Sequence, residues 1–233
     1  MYILMLVLVS CGKQNKVKIS LNYTGGTDKT TVVLKEIKVD REFPIDSAII
    51  KGAGRYTFTV TANQPRFYKV VFPGEKWVML LAEPGEHIRL KVSKDKLPFG
   101  YEVNGSFGSQ FVRELGQKLY TTVHKMDSLR NLYNALPLNK EYDSERMRLD
   151  NEFRALADSQ HRESIRFVLS HYNSLASIYA LYQKYDDSTW VFYSSKDLQY
   201  FKIAGDSLSK KYPHSDEVKA LRFHFNRLMN QRQ

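Results

Sequence analysis

The hydrophobic pattern of this chain changes its period once, at Asn104-Gly-Ser106, and that change limits the fold more than any other feature. Before it, apolar and polar residues alternate, as in Val17-Lys-Ile-Ser-Leu-Asn-Tyr23 and Tyr56-Thr-Phe-Thr-Val60. A period of two places alternate side chains on opposite faces of a strand, so these segments predict half-buried β-structure. After it, Phe107, Phe111, Leu115, Leu119, Val123, Met126, Leu129 and Leu132 recur every three or four residues, the spacing of an amphipathic helix. One chain with two periods in two blocks predicts an α+β fold, with strands first and helices second.

The turn residues divide the first block further. Thr24-Gly-Gly-Thr-Asp28, Lys51-Gly-Ala-Gly-Arg55, Pro73-Gly-Glu-Lys76 and Ala82-Glu-Pro-Gly-Glu86 separate runs at Thr31–Val39, Asp46–Ile50, Phe67–Phe72, Trp77–Ala82 and His87–Val92. Short strands with such punctuation predict an antiparallel sandwich-like domain over residues 17–105. Residues 106–233 predict about five helices: a long first one ending at Pro137 and Asn139, and a charged second over 140–172. A third opens at Asn173-Ser174, followed by Asp197–Lys211 and Ser215–Met229.

The N-terminal segment speaks to location. Tyr2-Ile-Leu-Met-Leu-Val-Leu-Val9 is followed by Ser10 and by Cys11, the only cysteine of the chain. The run is far shorter than the roughly 20 residues of a membrane-spanning helix but suits a signal h-region of roughly 7–15. Leu8-Val-Ser-Cys11 resembles a lipobox. The expectation is a signal segment at 1–11, lipid on Cys11, a polar tether at 12–16 and an outer-membrane lipoprotein facing the periplasm or exterior. A signal segment ordinarily carries Lys or Arg ahead of its apolar run, and only Met1 and Tyr2 stand there.

A single cysteine excludes an intramolecular disulfide, a Cys-x-x-C redox pair and a cysteine-based zinc site. The formal charge is +10, but basic and acidic residues are interspersed throughout, so no nucleic-acid-binding stripe is expected. His87, His124, His161, His171, His214 and His224 form no H-E-x-x-H pair, and Gly52-Ala-Gly54 lacks the third glycine of a dinucleotide loop. Asp186-Asp187 reads as turn capping rather than an acid–base pair. No catalytic residue, metal site or cofactor is expected. Aromatic residues crowd the stretch from Tyr172 to Tyr212, which reads first as helix packing. Trp190, Phe192 and Tyr193 are the residues expected to meet a protein or glycan partner, because tyrosine and tryptophan join an apolar face to a polar tip.

The order of motifs is similar to that of a known group. Asp46-Ser-Ala-Ile-Ile-Lys-Gly-Ala-Gly-Arg-Tyr-Thr-Phe58, Tyr68-Lys-Val-Val71 and Leu80-Leu-Ala-Glu-Pro-Gly-Glu-His-Ile-Arg-Leu90 precede Val103-Asn-Gly-Ser106, Asn173-Ser-Leu-Ala-Ser177 and Tyr212-Pro-His-Ser215. This pattern, over nearly all of residues 11–225, resembles the N-terminal region of bacterial lipoproteins in which a domain of unknown function precedes a thioredoxin-like domain. Those relatives are thiol–disulfide oxidoreductases of the alkyl hydroperoxide reductase/thiol-specific antioxidant type. The resemblance implies that redox chemistry belongs to a Cys-x-x-C pair in that later domain, and this sequence carries none. The expectation is a non-enzymatic, membrane-anchored binding or positioning module. The alternatives are the N-terminal part of an exported oxidoreductase and a glycan-binding lipoprotein.

Overall fold

The computed structural model describes residues 15–26 and 29–230; Cys11 and the expected signal segment lie outside them. Eight strands come first: β1 Lys16–Thr24, β2 Lys29–Ile37, β3 Glu42–Lys51, β4 Gly54–Thr61, β5 Arg66–Val71, β6 Trp77–Ala82, β7 His87–Ser93 and β8 Glu102–Asn104. Five α-helices follow: α1 Phe107–Asn134, α2 Tyr142–Ser170, α3 Ala176–Leu181, α4 Leu198–Lys211 and α5 Asp216–Asn230. The α+β order read from the two periods is the order of the fold. Among the described residues no helix is long and apolar enough to cross a membrane.

The strands form two four-stranded sheets, ordered β4-β1-β7-β8 and β3-β2-β5-β6. Their facing sides make one core. Val17, Ile19, Leu21 and Tyr23 of β1, with Ile88, Leu90 and Val92 of β7, meet Val32, Leu34, Tyr68, Val70, Val78 and Leu80 of the other sheet. The alternation seen in the sequence is this division between core and outer face.

The sandwich is not wholly antiparallel as expected: β1 pairs with β4 antiparallel but with β7 parallel, Ile19 opposite Ile88 and Leu21 opposite Leu90. A period of two assigns faces and says nothing of strand direction, which depends on where the chain returns after visiting the second sheet. The sequence reading also passed over β8, whose three residues are too short to show a period.

The helices do not stand apart from the sandwich. They pack on the outer face of β3-β2-β5-β6, where Phe67 and Leu81 join Val112, Leu115, Ile178 and Leu181 in a second core. Strands β5 and β6 therefore lie between two apolar layers, which accounts for the unbroken buried run Leu80-Leu-Ala82.

The junction is fixed by Gly105 and Ser106. Gly105 adopts φ +84°, and a Cβ there would sit 2.2 Å from the His87 carbonyl oxygen, so only glycine fits. Ser106 then caps α1, its hydroxyl accepting from the Ser109 N–H at 3.1 Å. Helix α1 runs 28 residues, about 42 Å, and pairs with α2. Its stripe is buried at Val112, Leu115 and Met126, but Phe107 and Leu132, expected on the same face, are 78% and 55% exposed. Those two lie in the first and last turns, at the ends of the packed stretch.

Candidate functional site

Where α3 and α5 cross the outer face of the second sheet, they leave an open-mouthed cavity of about 760 Å³. That volume lies within the range of small-ligand sites. Its walls come from elements far apart in sequence. Ile37 ends β2, Phe67 and Met79 project from β5 and β6, and Leu119 comes from α1. Ile178 and Tyr179 belong to α3, Leu221 and His224 to α5. Each sheet residue here is on the face opposite the sandwich core, so alternation aims it into this space.

One polar side chain of the lining stands out by its burial. Gln183 is 4% exposed, and among the described residues neither its side-chain nitrogen nor its oxygen has a hydrogen-bond partner. A buried amide without partners costs roughly 1–3 kcal/mol per unsatisfied group, so its retention in this wall calls for an explanation. Local folding places it there. Ala176 and Ala180 of α3 are fully buried, and Gln183 follows two residues after the helix ends at Leu181, where the chain turns toward the Lys184–Trp190 bridge. Its backbone is held as well: its N–H donates to the Ala180 carbonyl at 3.3 Å, and its carbonyl accepts from the Val191 N–H at 3.0 Å. The sequence reading missed Gln183.

The segment after α3 forms the mouth. Lys184 and Trp190 pair as an isolated antiparallel bridge. Asp186 closes the loop between them, accepting from the Ser188 N–H at 2.9 Å and the Thr189 N–H at 2.8 Å. Those bonds, with the Ser188 hydroxyl, hold its carboxyl down to about 2. Asp186 is thus a turn residue, as its place in the sequence suggested. The Lys184 ammonium lies 4.1 Å from the centre of the Trp190 ring, over one of its faces.

The three aromatic residues singled out in the sequence separate here. Trp190 lines the cavity and is 37% exposed. Phe192 is buried, with Tyr200 and Phe201 of α4 against its ring, and offers no surface to a partner. Tyr193 is exposed and sits beside His161, outside the cavity lining. Aromatic density marked the segment but could not distinguish lining, core and surface.

Tyr182 and His224 form the polar side of the cavity, the tyrosine hydroxyl 2.8 Å from His224 Nδ1. Burial pushes the Tyr182 phenol up to about 12, against a smaller opposing pull from Arg227. Burial also lowers the His224 pKa, with the Arg227 charge acting the same way. Lys38, Lys184 and Arg227 bring three cations to the lining, and among the described residues none of them forms a salt bridge. The single carboxylate in the lining, Glu217, is engaged by Arg66 at 3.2 Å and by the Ser215 hydroxyl at 2.5 Å. The cavity is apolar in its depth and positive at its polar edge. Among the described residues no group of three or more His, Cys, Asp or Glu side chains is placed to hold a metal ion.

Residues 16–109 match a family model described as a domain of unknown function (DUF4369), which covers the sandwich and the first turn of α1. Comparison with curated proteins finds no match.

Proposed function

We propose that this chain is a non-enzymatic binding module, tethered to the cell envelope by lipid on Cys11, whose ligand enters the cavity between the sandwich and the helices. The observation that carries the binding role is the open cavity of about 760 Å³, apolar in its depth and edged by Lys38, Lys184 and Arg227, none of which forms a salt bridge among the described residues. The tether is supported by the lipobox-like Leu8-Val-Ser-Cys11. The glycan alternative is weakened because the Lys184 ammonium covers one face of Trp190, which leaves at most the other to a sugar ring.

Binding is tested with the anionic fluorophore 1-anilinonaphthalene-8-sulfonate on residues 12–233 carrying Trp77→Phe, which leaves Trp190 as the sole tryptophan. Saturable enhancement with energy transfer from Trp190, lost when Ala220→Phe fills the cavity, supports the reading. Absence of binding, or binding indifferent to Ala220→Phe, removes it. The tether is tested by metabolic labelling with an alkyne fatty acid: the natural protein should be labelled and Cys11→Ala should not.

A second reading rests on the resemblance set out above, to which the match over residues 16–109 lends its β-domain half. In it, this chain is the N-terminal part of an exported thiol–disulfide oxidoreductase. A downstream frame encoding a Cys-x-x-C thioredoxin-like domain supports that reading; a stop codon with no such domain removes it.

A further inference from the structure

We propose that the end of the sandwich from which the N-terminus leaves rests on the membrane surface, with Val39 and Phe107 inserted among the lipid headgroups and Lys16, Lys38 and Lys211 facing their phosphates. The proposal rests on the lipid tether of the reading above and adds how the chain lies against the membrane that holds it.

The topology gathers these residues at one end. The Asn15 carbonyl accepts from the Ala62 N–H at 2.7 Å, and its side-chain amide donates to Asn63 at 2.9 Å. Ala62 and Asn63 begin the crossing from β4 to β5, and Phe67 of β5 pairs with Ile37, so the β2–β3 turn carrying Lys38 and Val39 lies here too. Leu81 pairs with Phe67, and the Ser106 hydroxyl donates to its carbonyl, which starts α1 and Phe107 at the same end. Helix α2 finishes here, since the ring of its cap residue His171 lies 4.4 Å from that of Phe111, one turn into α1. The Lys211 ammonium donates to the Asn173 carbonyl at 3.1 Å and brings in the end of α4.

The surface so formed is amphipathic. Val39 and Phe107 are 56% and 78% exposed, and Tyr172, next to His171, is 45% exposed. Lys16, Lys38 and Lys211 are exposed, and no carboxylate among the described residues holds them. Of the carboxylates at this end, Glu36, Asp40, Glu42, Asp216 and Glu217 are each paired with a cation of the chain. That leaves Glu83 and Glu86, the latter turned back on the Glu83 N–H at 2.8 Å. Exposed aromatic and aliphatic side chains interleaved with lysines suit the boundary between headgroups and acyl chains.

The tether decides what covers this end. Cys11 precedes Asn15 by four residues, a span of at most about 14 Å. Acyl chains on Cys11 therefore hold Val39 and Phe107 close to lipid, while Lys51, Lys76 and Lys94 stand a strand length away, roughly 30 Å. Lys38 and Val39 also line the cavity, so one side of its mouth meets the lipid surface.

The test couples residues 11–233, through the thiol of Cys11, to a maleimide lipid in vesicles of phosphatidylethanolamine and phosphatidylglycerol. The anchor is thus imposed chemically and does not depend on acylation in the cell. Lysines are then acetylated with an N-hydroxysuccinimide ester and their rates read by mass spectrometry. On coupling, Lys38 and Lys211 should react severalfold more slowly, and Lys51, Lys76 and Lys94 should not change. Val39→Ser combined with Phe107→Ser should return the first two to their uncoupled rates, with circular dichroism showing the fold intact. Equal rates at both ends, or protection that survives the paired substitution, overturns the proposal. Protection of the uncoupled chain that grows with protein concentration places a second copy on this end and overturns it as well. If fatty-acid labelling of Cys11 fails in the cell, the tether falls and the proposal with it, whatever the vesicles show.

Discussion

Leu81 and Ser109 exchange two hydrogen bonds: the Leu81 N–H donates to the Ser109 hydroxyl oxygen at 3.1 Å, and that hydroxyl donates to the Leu81 carbonyl at 2.9 Å. Ser106 adds a third, its hydroxyl donating to the same carbonyl at 2.9 Å. Among the described residues strand β6 is the edge of its sheet, so these backbone groups meet no neighbouring strand there. Two residues earlier on that edge, the Met79 carbonyl accepts from the Tyr101 hydroxyl at 3.3 Å. The first turn of α1 thus closes an edge that would otherwise be open to pairing with another chain. It also sets the position of Leu119, which lines the cavity further along the same helix.

Ser109→Ala should therefore cost stability out of proportion to one hydroxyl. Ser109 is fully buried, and its loss leaves the Leu81 N–H without a partner, while the carbonyl keeps Ser106. The expected loss is about 1–3 kcal/mol, the cost of one orphaned buried donor. Urea denaturation followed by circular dichroism measures it. A change below about 0.5 kcal/mol would mean that water reaches this edge.

Two glycines inside helices should respond to alanine in opposite directions. At Gly108 a Cβ would lie 2.9 Å from both the Leu81 carbonyl oxygen and its Cγ, so the helix must withdraw from β6. At Gly205 the nearest atom is Arg222 Cγ at 3.5 Å, an ordinary contact, and the surrounding α4 is regular. Gly205→Ala should stabilise by about 0.5–1 kcal/mol through helix propensity alone. Gly108→Ala should destabilise, since overpacking against backbone costs about 1–3 kcal/mol. Thermal unfolding of the two variants decides it, and the same sign in both would refute the close approach of α1 to Leu81.

The pH dependence near neutrality should carry the signature of His224. Its folded pKa lies below the ordinary 6.5, through burial first and Arg227 second. As pH falls through that ordinary value, the unfolded chain takes up the proton while the folded imidazole does not. Stability then declines until the folded histidine also titrates, where the decline stops. His224→Asn keeps a polar side chain beside the Tyr182 hydroxyl without the titration. Its urea midpoint should fall less than that of the natural protein between pH 7.5 and pH 5. Parallel profiles would assign the dependence to other groups.

The strands that alternate, such as β1 with Val17, Ile19, Leu21 and Tyr23 inside, were readable because one face meets a core and the other does not. The layer arrangement was hidden for the same reason. Phe67 and Leu81 look like further apolar strand residues, and only the helices docked on their face show that they belong to a second core. The parallel pairing of β1 with β7 joins residues about seventy positions apart, beyond any local signal. The cavity is less legible still, because Ile37, Met79, Ile178 and His224 meet only in the folded chain. Trp190 was found by aromatic density, whereas Gln183 is one glutamine among several until its burial is known.

Arg66 and Glu217 supply a further link between the sandwich and the helices, and it bears on the site. Arg66 Nη1 is 3.2 Å from Glu217 Oε1, joining β5 to the first turn of α5; the side chains are 21% and 8% exposed. Arg66 also approaches Glu36 of β2 at 3.8 Å. Removing the cation leaves Glu217 buried with the Ser215 hydroxyl as its one side-chain donor among the described residues, so Arg66→Met should cost about 3 kcal/mol. Glu217→Gln in the same background should restore part of that loss, because a neutral amide is cheaper to bury than a carboxylate. The coupling in a double-mutant cycle should be about 1–3 kcal/mol. Glu217 also lines the cavity, so Arg66→Met frees a negative charge beside Lys38, Lys184 and Arg227. Binding of the anionic fluorophore should weaken in Arg66→Met and recover in the double variant. Recovery of stability without recovery of binding would show that Glu217 fastens the two layers and exerts no field on the ligand.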